Sequence, residues 1–168
     1  MKYFISILCF VSHAIYVYLY SYNLISNHFD RPSLLYLFIG ISLFGFISVI
    51  VGLFIVTFLL GRFIGESITL EEYFGQYYKI LYFPIFLNLL SIILILLNLE
   101  ELKSYTTAED VKNFSQIRFM RISEFIIYTG AIIYLIEIIS ESFKISLTKA
   151  FGTILLPLIF FILFKYLL

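Results

Sequence analysis

The feature that most constrains this chain is a set of long apolar runs without charge. The stretch from Leu34 to Leu60 holds no Asp, Glu, Lys or Arg. A helix rises about 1.5 Å per residue, and the hydrocarbon core of a bilayer is about 30 Å thick, so roughly 20 apolar residues cross it. The runs are continuous and do not alternate with period two. That selects helices over a barrel, because each helix satisfies its own backbone groups in lipid. Composition agrees: 62% of residues are hydrophobic and 13% charged, too few polar residues to wet the surface of a soluble domain. A soluble enzyme and a disordered tail are excluded. The 11 basic and 11 acidic residues leave no net charge, which excludes a basic nucleic-acid binder.

Five spans are expected: 3–25, 34–60, 80–99, 122–139 and 150–168. The fold class is all-α integral membrane, a single domain over 1–168 built as a bundle of five transmembrane helices. Two connections carry helix-start signals. Thr69-Leu70-Glu71-Glu72 fits a capping box, in which a hydroxyl and a carboxylate each satisfy a backbone N–H, for a helix that starts at Leu70 and runs toward the third span. Thr107-Ala108-Glu109-Asp110 is a weaker version. Beyond it Val111, Phe114 and Ile117 recur at helical spacing among polar neighbours. This predicts a short amphipathic helix before the fourth span, with a solvated extension of that span as the alternative.

Cys9 is the single cysteine, so no internal disulfide forms, and its apolar setting favours a buried thiol over a lipid anchor. Met1-Lys2 and the apolar residues after them resemble a signal peptide. The run continues past the poor cleavage site Ser12-His13-Ala14 to Ile25, which favours a retained span. Charge does not orient the chain. Lys2, Arg62, Lys79, Lys144 and Lys149 fall on one side, and Arg31, Lys103, Lys112, Arg118, Arg121 and Lys165 on the other.

His13 lies near the middle of the first span. An ionisable group there is a functional candidate, and the competing reading is a neutral imidazole bonding a neighbouring helix. Asn88 and Ser91, on adjacent turns of the third span, read as interhelical hydrogen-bonding groups. Glu124 and Glu137, near the ends of the fourth, suit pairing or snorkelling more than proton relay. Gly45, Ser48 and Gly52 share one face of the second span and read as a helix-packing seam. Pro84 and Pro157 are expected to kink the third and fifth spans. Tyr16, Tyr18, Tyr20, Tyr22, Tyr77, Tyr78 and Tyr82 suit the membrane interface.

No paired-histidine metal motif and no nucleophile-elbow serine is present. Glu100-Glu101 resembles the start of the paired-glutamate motif of intramembrane prenyl-protein proteases, without its Arg and downstream His. Gly61, Gly65 and Gly75 are too widely spaced to cradle a phosphate. The expectation is a protein that is not an enzyme, with no cofactor and no metal.

The order of motifs is familiar. A span ends in Leu60-Gly61-Arg62-Phe63-Ile64-Gly65. The next begins with Tyr82-Phe83-Pro84, and Ser146-Leu147-Thr148-Lys149-Ala150 opens a last span that contains Pro157. This resembles the Yip family, polytopic proteins named for interacting with Rab-type GTPases in eukaryotes, with many bacterial relatives. The resemblance covers about 34–168. It implies family-motif roles for Gly61, Arg62, Tyr82, Pro84, Ser146, Lys149, Ala150 and Pro157. It also implies five spans and a cytosolic N-terminus. The segment 100–121 is longer than the family's usual turn, and no N-terminal cytosolic region of the eukaryotic kind is present, which points to the bacterial branch. The resulting expectation is a multi-pass protein of a bacterial cytoplasmic membrane. It would act as a scaffold or accessory subunit, with the lipid bilayer and other membrane proteins or further copies of itself as partners. A small transporter or channel component and a membrane immunity protein are the alternatives.

Overall fold

The computed structural model describes residues 1–20, 22, 32–98 and 115–155. Among them every regular element is helical, and no strand occurs. The helices are α1 (Lys2–Tyr20), α2 (Pro32–Ile64), α3 (Leu70–Tyr77), α4 (Tyr82–Leu97), α5 (Ser115–Phe143) and α6 (147–155), with a 3-10 turn at Tyr78–Leu81 between α3 and α4. Four stretches are long and apolar enough to cross a membrane: Lys2–Tyr20, Ile39–Ile64, Leu70–Leu97 and Phe119–Phe143. The fifth expected span begins in α6, and 156–168, with Pro157, lie outside the described residues.

The helix expected to start at Leu70 and run toward the third span is present, because the capping box is formed. Thr69 Oγ1 accepts from the Glu72 backbone N–H at 3.2 Å, and Glu72 Oε2 accepts from the Thr69 N–H at 2.7 Å. Helix α5 starts by Ser115, so Ser115–Arg121 continue the fourth span and are not a separate amphipathic helix; 111–114 lie outside the described residues. Pro84 does not kink the middle of α4. It sits in the first turn, where its missing N–H costs little. Its ring forbids an α-helical bond to Ile80, and the chain there takes the 3-10 geometry of Tyr78–Leu81.

The residues cluster into two compact units: Met1–Ser48 with Leu81–Gly130, and Val49–Ile80 with Ala131–Leu168. In the first, α1 packs on α4. Ile5, Cys9 and Ser12 recur at helical spacing on α1, and Pro84, Asn88, Ser91 and Ile95 on α4; all are buried.

In the second unit, α3 packs on the C-terminal half of α2. Tyr73 and Tyr77, one turn apart on α3, are both buried. Thr57 Oγ1 gives its hydrogen to the Leu53 carbonyl at 2.7 Å, so the Tyr73 hydroxyl, 2.8 Å away, donates to Thr57. The Tyr77 hydroxyl donates to the Ile50 carbonyl at 3.0 Å. Tyr77 is therefore an interior residue and not part of an interfacial aromatic belt. Phe54, Phe58 and Phe143 complete this aromatic core, with the Tyr73 and Phe143 ring centroids 5.2 Å apart.

The ends of α2 and α5 meet at two glycines. A Cβ at Gly61 would overlap the Phe143 ring, and one at Gly65 would overlap the Phe143 carbonyl. The Glu66 N–H donates to that carbonyl at 2.9 Å, and Lys144 Nζ pairs with Glu66 at 2.7 Å. Lys144 ends α5 in the left-handed region, φ 50°. The Ile145 N–H reaches back to the Ser140 carbonyl at 3.1 Å, closing a Schellman-type stop. Ser146 then caps α6: its Oγ accepts from the Lys149 N–H at 3.4 Å, and its carbonyl from the Ala150 N–H at 2.9 Å. The α2–α3 and α5–α6 connections therefore lie side by side.

Candidate functional site

In the first unit, the polar groups of α1 and α4 form one hydrogen-bonded chain. Ser12 and Asn88 are buried, and His13 is partly open. Ser12 Oγ donates to the Cys9 carbonyl at 2.9 Å. Asn88 Nδ2 donates to Ser12 Oγ at 3.2 Å, and Asn88 Oδ1 lies 3.3 Å from His13 Nδ1. The spacing explains the meeting. Cys9, Ser12 and His13 lie within five consecutive residues of α1, which packs on α4. Phe46 of α2 stacks on the His13 ring, centroids 3.7 Å apart and 11° between planes, and Tyr16 flanks it at 5.9 Å.

The sequence candidates divide by location. His13 and Asn88 come together as the interhelical bond expected of them. Ser91 is buried on the same stripe of α4. Of the seam residues, Gly45 and Ser48 are exposed, and a Cβ at Gly45 or Gly52 meets no described atom within 4 Å. Within the described chain this face of α2 receives no close helix. The close approach occurs instead at Gly61 and Gly65. Arg62 is exposed, Tyr82 is exposed beside the buried Pro84, Lys149 is exposed, and Ala150 is fully buried. Among the described residues, no group of three or more His, Cys, Asp or Glu could hold a metal ion.

Two elements escaped the sequence reading. Ser12 was not singled out, although its place beside His13 and one turn from Cys9 was the available signal. The Gly61–Gly65 contact was also missed; its four-residue glycine spacing at a span end was the signal. No protein-family model, no curated protein and no solved structure matches this chain.

Proposed function

We propose that the chain is a non-enzymatic, multi-span protein of the bacterial cytoplasmic membrane, of Yip-like type. It serves as a scaffold or accessory subunit that packs against other membrane proteins. The observation that carries this reading is the open middle of α2. Gly45, Ser48 and Gly52 lie along one face, and Ile41, Phe44, Val49 and Ile55 are exposed beside or around them. Small residues let a second helix approach closely enough for backbone contact, which drives association where lipid offers no hydrophobic incentive. The polar chain of Ser12, His13 and Asn88 ties α1 to α4 and so stiffens the support.

Replacement of Gly52 by Leu tests the reading. Partners recovered with the protein in mild detergent should be lost from the variant while its thermal stability is kept. Unchanged co-purification would refute it.

A second reading, a small transporter or channel component, draws on the same polar chain, which places His13 and Asn88 within apolar helices. Full transport activity in His13→Ala, once a substrate is known, would remove it.

A further inference from the structure

Contacts within the first unit fix the heights of its helices. Asn88 of α4 meets Ser12 and His13 of α1, and Phe46 of α2 stacks on His13. Gly130 of α5 faces Phe83 of α4, where an added Cβ would lie 3.3 Å from the ring. Helix α5 runs against its neighbours. Tyr16 interacts electrostatically with Glu124 and Tyr128, and Tyr20, one turn on, with Arg121 and Glu124. Asn88 is about 7.5 Å along α4 from Phe83, and Glu124 about 9 Å along α5 from Gly130. Through Phe83 or through Tyr16, Glu124 comes within about 5 Å of the level of Asn88 and His13.

Asn88 is nine residues past Lys79 and twelve before Glu100, in a run without charge, and His13 is eleven past Lys2. These are about 13–18 Å, near half the thickness of the hydrocarbon core. Glu124 therefore lies at mid-membrane, deeper than its place near the end of the fourth span suggests.

Four groups face it. Arg121 and Tyr128 stand one turn to either side on α5, and Tyr16 and Tyr20 reach it from α1. Tyr16 also flanks His13, and Tyr128 interacts with Cys9. Neither Phe83–Leu97 of α4 nor Leu37–Ser48 of α2 contains a titratable side chain. A carboxyl at this depth is held by a cation or by a proton. Arg121 is the cation, but it is exposed and also acts on Tyr20, so its charge is shared and not locked in a closed pair. A proton needs no cavity, and a carboxyl beside tyrosine hydroxyls is chemistry that exchanges one.

We propose that Glu124 is a proton-binding site at the middle of the membrane, with Arg121 as the counter-charge that the proton displaces. The carboxylate takes one proton to give the neutral acid, and Arg121 turns to Tyr20. Proton and guanidinium thus alternate on one carboxyl. The site does not depend on the scaffold reading.

The test uses full-length protein in phospholipid nanodiscs, with 13C-labelled glutamate and arginine. Carboxyl and guanidinium carbons are followed by NMR from about pH 4 to about pH 9. Glu124→Gln assigns the Glu124 signal, with Glu124→Asp as the substitute if that variant misfolds, and Arg121→Lys assigns Arg121. A water-soluble gadolinium chelate reads depth, with Glu141, exposed at the end of α5, as the surface standard. The Glu124 carbon should titrate, the Arg121 carbon should move with the same midpoint, and the chelate should broaden Glu124 far less than Glu141. A Glu124 signal constant across the range would mean a permanent ion pair or a permanent acid. Titration without a response of Arg121, or broadening equal to that of Glu141, would likewise overturn the proposal.

Discussion

Gly61→Ala should destabilise the protein far more than one methyl group suggests. A Cβ there falls on three ring atoms of Phe143, the farthest of them Cζ at 2.8 Å, where carbon–carbon contacts settle near 3.5–4.0 Å. The ring must move about an ångström. It has little room, because Phe143 is fully buried against Phe58 and Tyr73. Overpacking of this kind costs about 1–3 kcal/mol. Gly65→Ala should cost at least as much, since the obstacle there includes the Phe143 backbone carbonyl that anchors Glu66. Gly75→Ala is the control. Its Cβ meets open space inside α3, so it should be neutral or gain up to about 1 kcal/mol of helix propensity. Loss of helical circular dichroism on heating in detergent reads all three. Phe143→Leu should partly rescue Gly61→Ala, with a coupling of about 1 kcal/mol in the double-mutant cycle. A Gly61→Ala protein as stable as Gly75→Ala, or strict additivity with Phe143→Leu, would refute the close approach.

Other perturbations have defined outcomes. Asn88→Leu strands the His13 donor and breaks the link to Ser12, and should lower stability by about 1 kcal/mol, near the measured range for interhelical bonds in membranes. The same thermal melt reads it, and an unchanged midpoint would show that the chain is not formed. Tyr73→Phe should cost about 1 kcal/mol by removing the donor to Thr57. Cys9 is 2% exposed, so a thiol-reactive dye should label it only as the protein unfolds. Lys144→Gly removes a left-handed lysine and should gain up to about 1 kcal/mol, offset by the exposed pair with Glu66, worth about 0.2–1 kcal/mol. A clear loss of stability would mean that the ion pair outweighs the backbone term.

Features that depend on local chemistry were readable in the sequence. The charge-free runs gave the helices. Thr69 and Glu72 gave the start of α3, because a capping box is complete within four residues. His13 and Asn88 were readable as bonding groups because a buried polar side chain in lipid must find a partner. Partner identity was not readable, since Asn88 is remote in sequence from Ser12 and only the packing of α1 on α4 joins them. The helix from Leu70 toward the third span was readable from the capping box, although Glu71, Glu72 and Lys79 make the stretch the most charged part of that helix. The packing of Tyr73 and Tyr77 on α2 keeps those turns helical despite the charges. The seam at Gly45, Ser48 and Gly52 and the pair at Gly61 and Gly65 look alike in sequence. Only the position of Phe143 distinguishes an occupied glycine face from an open one.

The multi-span reading stands or falls on which side of the membrane the connections lie. Single cysteines at Ser67, Ser146 and Asn98, in a Cys9→Ala background, can be probed in sealed vesicles with a membrane-impermeant maleimide. The side-by-side α2–α3 and α5–α6 connections require the first two to label from the same side. The apolar helix from Leu70 to Leu97 requires Asn98 to label from the other. Labelling of all three from one side, or of Ser67 and Ser146 from opposite sides, would contradict the account.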